Sequence, residues 1–194
     1  MRGLRKYLTP FAPDQSGAVS VLYELGGIIV ICDAGGCTGN VCGFDEPRWF
    51  ERKSAVFSAG LRDMDAILGR DDRLVAKLVD AAEKVEAGFA AIIGTPVPAV
   101  IGTDYQALKR MCEKRTELPV LTVDTDGMEL YDVGERKAYV ELFKAFAREK
   151  LPVETGKIGI LGMTPQDVSD PGAADKIREK FRVQGLKAVC YGMG

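Results

Sequence analysis

Short apolar runs recur at regular intervals along the chain, and each is followed by a turn rich in Gly, Thr or Asp and then by a helical pattern. A run of four or five apolar residues without polar alternation is typical of a strand buried on both faces of a parallel sheet. The chain therefore alternates predicted strands with predicted helices. The predicted strands are Ile28–Cys32, Ala55–Phe57, Phe89–Ile93, Val120–Val123, Ile158–Leu161 and Lys187–Cys190.

Between these runs, apolar residues recur at intervals of three or four, which indicates amphipathic helices. An earlier helix passes through Val19, Leu22 and Tyr23, with Asp14 or Ser16 as its N-cap. This alternation predicts an α/β fold with a doubly wound parallel sheet, in a Rossmann-like or flavodoxin-like three-layer arrangement. The two later helical faces contain Leu74, Leu78, Ala81 and Ala82, and Ala138, Leu142, Phe143 and Phe146.

The alternation breaks at residues 151–156 and restarts with a new strand. We therefore predict a first domain at residues 1–152 and the first βαβ of a second Rossmann-like unit at residues 153–194. A single βαβ leaves a sheet edge uncovered, so it either completes the first sheet or begins a domain that continues in a longer protein. We expect the longer protein, because Cys190–Gly194 has the composition of a turn that opens a further helix.

The net charge and the length of the apolar runs argue against nucleic acid and membrane as partners. The net charge is −2, and nucleic acid is not expected because phosphate binding needs a clustered basic surface. The longest apolar run, Ile28–Cys32, is too short to cross a bilayer. We therefore expect a cytoplasmic protein with no membrane partner.

The five cysteines are odd in number and scattered over a chain too large to need disulfide bridges. Reduced thiols or metal ligands are expected instead. The sequence contains no histidine, which removes the commonest general base and every nucleophile–histidine pair. Any chemistry must come from thiolates, carboxylates, backbone amides or a bound cofactor, and the sequence assigns no catalytic residue.

A glycine-rich loop follows the first predicted strand and contains Gly35, Gly36, Cys37 and Gly39. Ligands of open α/β sheets bind at the carboxyl ends of strands, and glycines let the backbone approach them closely. The loop lacks the Gly-Lys-Ser/Thr of a phosphate loop and the spacing of a dinucleotide fingerprint. It instead places the thiol of Cys37 where the thiolate form, which binds iron, is expected.

Cys42 follows Cys37 after four intervening residues, a spacing that also begins the plant-type ferredoxin ligand run. The alternative is that Cys42 packs as a small apolar side chain and that the glycines only form a tight turn. Cys32 and Cys112 are predicted core residues, and Cys190 resembles Cys32. The segment Asp45–Trp49 is either a surface turn, the interpretation we favour, or a lid or docking loop over the thiol.

Several segments, in this order, resemble the nitrogenase component 1 family, which includes the molybdenum-iron protein subunits, their cofactor-assembly homologues and dark-operative protochlorophyllide reductase. The turn Asp33–Cys37 lies where the family has its Gly-Cys cluster-ligand turn. The other similar segments are Pro10–Ala18, Ala66–Leu74, Ala99–Asp104 and Gly159–Pro165. The last is similar to the start of the family's second Rossmann-like domain.

The chain also departs from the family pattern. Where the nitrogenase subunits place further cluster cysteines, it carries Asp14 or Ser16 and Pro96, so only Cys37 matches a family ligand. One thiolate cannot hold a four-iron cluster. The remaining ligands are expected from Cys42, from a carboxylate such as Asp14, or from a second chain.

The resemblance implies a nitrogenase-like oxidoreductase subunit with an iron–sulfur cluster, expected to be four-iron four-sulfur, at a subunit interface. It also implies electron supply by an ATP-dependent iron–sulfur reductase. Its partner would be a second copy, giving a two-fold dimer, or a homologous component 1 subunit, with Cys37 near the axis. Two alternatives remain open: a non-enzymatic scaffold for cluster or cofactor assembly, and a flavodoxin-like small-ligand binder without iron.

Overall fold

The computed structural model describes residues 10–52, 54–69, 71–150, 152–170 and 172–192. The strands are β1 (Gly27–Ile31), β2 (Ala55–Ser58), β3 (Phe89–Ile93), β4 (Val120–Val123), β5 (Lys157–Ile160) and β6 (Lys187–Cys190). The α-helices are α1 (Asp14–Leu22), α2 (Gly36–Asn40), α3 (Asp63–Leu68), α4 (Asp71–Lys84), α5 (Pro96–Ile101), α6 (Tyr105–Thr116), α7 (Tyr131–Phe146), α8 (Pro165–Val168) and α9 (Ala173–Val183). A π-helical turn at Val41–Asp45 extends α2, and a 3₁₀ turn follows at Pro47–Phe50.

Four parallel strands form the main sheet in the order β2-β1-β3-β4. The chain thus passes to one side of β1 for β2 and to the other side for β3 and β4. This reversal places a topological switch point between β1 and β3, where open α/β sheets bind ligands. The predicted doubly wound α/β fold is confirmed.

Apolar side chains cover both faces of this sheet. On one face, Leu22 of α1 and Ala138 of α7 pack against Ile29 and Ile31 of β1. On the other, Leu78 of α4 and Leu108 of α6 pack in a core that includes the remaining side chains of β1. All residues of β1, β3 and β4 are buried, as their apolar runs predict.

Helices α1 and α7 cross at very close range. A methyl group on Gly17 would lie 2.1 Å from the Tyr131 carbonyl oxygen, and one on Gly134 would lie 1.7 Å from the Asp14 carbonyl oxygen. Glycine at both positions therefore allows the two backbones to touch.

The strands β5 and β6 form a separate parallel sheet. They pack with α9 around a small core of Met163, Ala174 and Cys190, which we call the second unit. This segment therefore does not complete the first sheet. Polar bonds join it to α7, where the Tyr139 hydroxyl donates to the Tyr191 carbonyl at 2.7 Å.

Two predictions about local structure are wrong. Neither Asp14 nor Ser16 caps α1 with its side chain, because Pro13 holds the N-cap position and both side chains bond elsewhere. The edge strand β2 and both strands of the second unit are not buried on two faces. Their apolar runs resemble those of buried strands, but a sequence does not reveal which strands are covered on both faces.

Candidate functional site

The carboxyl ends of β1, β3 and β4 lie side by side, and two threonines join the loops that leave them. The hydroxyl of Thr95, after β3, donates to the Cys32 carbonyl at 2.6 Å. The hydroxyl of Thr125, after β4, donates to the Gly94 carbonyl at 2.7 Å. The loop containing Cys37 leaves the same edge as Thr95, Asp124 and Asp126, because all of them follow parallel strands.

The glycine loop closes around the buried carboxylate of Asp33. This carboxylate accepts hydrogen bonds from the Thr38 backbone N–H at 2.7 Å, the Thr38 hydroxyl at 3.0 Å and the Ser58 hydroxyl at 2.6 Å. Gly35 has a φ of 118°, a conformation that strongly favours glycine. These features direct the chain from β1 into α2, whose second residue is Cys37.

The Cys37 side chain is partly buried against the core that contains α1. Burial and then the Asp33 carboxylate raise the pKa of its thiol, while a hydrogen bond with the Thr95 hydroxyl lowers it. The raised pKa corrects our expectation of a thiolate, because the glycine loop brings a buried carboxylate close to the sulfur. A metal ion would displace the proton on binding, since its positive charge favours the thiolate form.

Cys42 lies in the π-helical turn that continues α2 and is also partly buried. Burial and then the Glu46 carboxylate raise the pKa of its thiol. Among the described residues, no three Cys, Asp or Glu side chains form a group that could hold a metal ion. Cys37 and Cys42 therefore belong to no group of three or more such side chains in the described part of the chain.

Asp14 is fully buried at the start of α1. Its carboxylate accepts N–H groups from Gly127 at 2.8 Å, Gln15 at 2.9 Å and Asp126 at 3.1 Å. Burial raises the pKa of Asp14, while the bonds from Asp126 and Gly127 lower it. Asp14 thus fixes the turn that follows β4, and ligation of a metal would require it to give up these bonds.

The segment Asp45–Trp49 is not the surface turn that we favoured. Glu46 and Arg48 are buried and joined by an ion pair of 2.7 Å. Arg48 also donates to the Ser20 carbonyl at 2.7 Å and to the Gly192 carbonyl at 3.1 Å. The segment therefore connects α1, the turn that contains Cys42, and the end of β6.

A cavity of about 520 Å³ lies away from Cys37, between β4, α6 and α7. It is lined by both signs of charge. Lys137 pairs with Asp124 at 3.5 Å, and Lys144 pairs with Glu141 at 2.8 Å. With Arg136 and Asp104 the lining has three positive and three negative side chains, so no net charge selects a ligand and size alone does not make this cavity the site.

Exposed apolar side chains surround the loops at the carboxyl edge. Phe44 of the π-helical turn, Val100 of α5, Met128 after β4 and Phe11 before α1 are between 81% and 106% exposed. Ile67 and Leu68 of α3 are exposed as well, and α3 contacts α5. We call these side chains the apolar rim. A surface of this kind is typical of a protein-binding face.

Sequence reasoning assigned neither Asp33 nor Thr95 a role at the Cys37 thiol. A carboxylate placed between the end of a buried strand and a glycine pair is a signal that could have identified Asp33. Thr95 lies at the end of β3, but only the three-dimensional structure brings its hydroxyl to Cys37. The buried positions of Cys32, Cys112 and Cys190 agree with their prediction as core residues.

A family model described as Nitrogenase component 1 type Oxidoreductase matches residues 15–194. Two solved structures are similar, described as "Nitrogenase Cp1 at pH 5" (16% identity, TM-score 0.71) and "Nitrogenase Cp1 at pH 6.5" (16% identity, TM-score 0.72). The alignments cover 98% of this chain but 40% and 39% of those chains, so it spans about two fifths of their length. No curated protein sequence matches the chain significantly.

The structural neighbours share the fold, and the family match extends over nearly the whole sequence. The chain therefore belongs to the nitrogenase component 1 type oxidoreductase family.

Proposed function

We propose that this chain is an electron-transfer subunit that supplies Cys37 to an iron–sulfur cluster at an interface with a second subunit. The observation that carries the proposal is the position of Cys37, in a fixed loop at the switch point, with exposed apolar side chains in other segments next to the carboxyl edge. Family membership supports a metal–sulfur group, and a thiolate is the ligand that iron–sulfur clusters use.

The donors of a single chain do not fit a complete cluster. A four-iron cluster needs about four ligands. Among the described residues Cys37 is the family-matched thiol, Cys42 does not join it in a metal-holding group, and Asp14 already accepts three backbone N–H groups. We therefore propose that a second copy, or a homologous component 1 subunit, supplies the missing ligands across a two-fold axis.

In such an assembly the cluster would accept and release single electrons. This chain's own residues would hold the Cys37 sulfur in place through the Asp33 loop, and the Thr95 hydroxyl, which donates to the Cys32 carbonyl, would turn its proton to the thiolate. The apolar rim would exclude water once it is covered, and both effects tune the potential of such groups.

The partners and the compartment belong to the same proposal. We propose an ATP-dependent iron–sulfur reductase as the electron donor, as the family implies. All five cysteines, each within the described ranges, are free, which supports a reducing compartment, and we place the protein in the cytoplasm. No described helix is long and apolar enough to cross a membrane. We also propose residues 153–194 as the start of a second Rossmann-like domain.

Anaerobic reconstitution with iron and sulfide tests the proposal. The wild type is expected to become brown, with broad visible absorption and bound iron that are lost in Cys37→Ala. Cys42→Ser serves as the matched control, and it should keep the iron unless Cys42 is a ligand too. Colourless wild-type protein after reconstitution would show that the chain does not bind an iron–sulfur cluster.

A charge on the apolar rim tests the interface separately from the metal. Val100→Glu is expected to convert the dimer to a monomer in light scattering, because it would bury an unpaired carboxylate. Val153→Glu is the control, since Val153 is equally exposed, at 91%, but precedes β5. Equal molecular masses for the two variants would contradict the proposed interface.

A further inference from the structure

A buried carboxyl group lies where the second unit meets α7. Glu135 of α7 is 6% exposed, and its Oε1 atom has no hydrogen-bond partner among the described residues. It faces Thr164 and Asp167, at the start of α8. Thr164 is fully buried, whereas Asp167 reaches the solvent.

The neighbouring hydroxyl groups cannot satisfy two ionised carboxylates. The Tyr131 hydroxyl donates to the Thr164 hydroxyl at 2.8 Å, and Thr164 in turn donates to Asp167 Oδ2 at 2.8 Å. Thr164 has a single hydroxyl proton for its two carboxyl neighbours. One further proton is therefore needed between Glu135 and Asp167.

No described cation supplies the missing charge. The other ionisable groups near Glu135 are Asp132, Tyr131 and Tyr139, which are acidic or neutral and belong to α7. Arg48, which lies near Tyr131, pairs with Glu46 and Glu24. On α1, the carboxylate of Asp14 bonds to the turn after β4. Burial and then Asp167 raise the pKa of Glu135 to about 9.

We propose that Glu135 and Asp167 share one proton across the contact between α7 and α8, and that loss of this proton releases the second unit from α7. The rest of the contact consists mainly of single polar bonds. The Tyr139 hydroxyl accepts the Gly162 N–H at 3.2 Å, and Arg48 donates to the Gly192 carbonyl at 3.1 Å. The two units have separate apolar cores, joined by the edge-on contact of the Phe143 and Tyr191 rings at 5.7 Å.

The pair is also connected to the loop of the candidate site. Gln166, next to Asp167, donates to the carbonyl of Asp45, which ends the π-helical turn that contains Cys42. The Asp45 carboxylate in turn accepts the Ser16 hydroxyl at 2.7 Å. Release of α8 would therefore remove one support of this turn.

Hydrogen–deuterium exchange of the full chain tests the proposal, with rates corrected for the intrinsic effect of pH. Between about pH 7 and about pH 10, protection of the amides in β5, α8 and β6 is expected to fall roughly tenfold in the wild type. The reason is that the upper pH lies about one unit above the pKa of Glu135, where most of this carboxyl group is ionised. Glu135→Gln should show no such loss, because glutamine keeps its shape and cannot ionise. Glu141→Gln, on the same helix, should behave like the wild type.

Two further measurements keep the proposal testable if Glu135→Gln does not fold. Asp167→Asn removes the neighbouring charge and provides a donor for Glu135, so protection should persist at high pH. Infrared spectra at neutral pH should contain the carbonyl band of a protonated carboxylic acid in the wild type. Equal loss of protection in the wild type and in both variants, or absence of this band, would overturn the proposal.

Discussion

The Asp33 carboxylate organises the glycine loop through bonds to Thr38 and Ser58, which belong to the loop and to the neighbouring strand β2. It also lies close enough to raise the pKa of the Cys37 thiol. The same residue therefore sets the position of the sulfur and the charge around it. A metal that replaces the thiol proton would relieve the repulsion between Asp33 and a free thiolate.

Replacement of Asp33 by alanine should loosen the loop. Loss of three hydrogen bonds to a buried carboxylate is expected to lower the free energy of unfolding by roughly 2–4 kcal/mol. Denaturant titration measures this change, and the rate of Cys37 modification by a thiol reagent should rise. Ser58→Ala removes a single bond and should cost about 1 kcal/mol. Equal stability of Asp33→Ala and Ser58→Ala would show that Asp33 does not hold the loop.

Glu135 should make the folded protein less stable as the pH rises, whereas an ion-paired carboxylate makes a folded protein more stable as the pH rises. Its pKa is raised from 4.5 to about 9, so the folded state binds the proton more tightly than the unfolded state does. The resulting stability is complete below about pH 4.5 and is lost as the pH rises towards about 9. At neutral pH, Glu135→Gln is expected to raise the free energy of unfolding by about 1–3 kcal/mol.

This prediction is checked by urea titrations of both proteins at several pH values. The advantage of Glu135→Gln over the wild type should grow from about pH 5 to about pH 9. A constant difference between the two proteins would contradict the raised pKa.

The sequence predicts the place of the loop residues better than their chemistry. Gly35, Gly36 and Cys37 follow an apolar run, and a strand of an open parallel sheet directs such residues to its carboxyl edge. The state of the Cys37 thiol depends on burial and on Asp33, which only the folded chain brings together. The same limitation applies to Asp14, whose bonds to residues 126 and 127 join positions that are distant in sequence.

Among the elements, the crossing of α1 and α7 is the most constrained. It determines where Asp14 lies and how the turn after β4 is held. A side chain at Gly17 or Gly134 would separate the helices and move that turn. The packing of two glycines thus connects a helix contact to one wall of the candidate site.

Gly134→Ala tests this contact. The added methyl group would meet the Asp14 carbonyl at 1.7 Å, so a loss of about 3 kcal/mol or more in the free energy of unfolding is expected. Gly39→Ala is the matched control, because outside its own helical turn its added methyl group would meet no described atom within 4 Å, and alanine favours helix. Thermal denaturation should separate the two variants clearly, and similar melting temperatures would argue against close packing at Gly134.

The elements themselves follow closely from the apolar pattern. The run Phe89–Ile93 coincides with β3, and β1 differs from the predicted Ile28–Cys32 by one residue at each end. The pattern was less informative for the segment Asp45–Trp49, because charged residues usually indicate a surface. There the buried ion pair of Glu46 and Arg48 satisfies both charges inside the protein.

For the molecule as a whole, the apolar rim and the Cys37 thiol both favour a second subunit at the carboxyl edge. The side chains of the apolar rim are largely exposed, and Cys37 belongs to no described group of three or more Cys, Asp or Glu side chains. A second subunit placed over this edge would bury the rim and could add ligands. The two similar solved chains are more than twice as long as this chain.

Native mass spectrometry of the anaerobically reconstituted protein reports the mass and the bound iron of the same species, so it tests whether two chains share one cluster. We expect a dimer that carries about four iron atoms for its two chains. Cys37→Ala should lose this iron, whereas Cys112, buried in the core, is not a ligand. A monomer with its full iron content, or a dimer whose iron survives Cys37→Ala, would show that Cys37 does not bind a shared cluster.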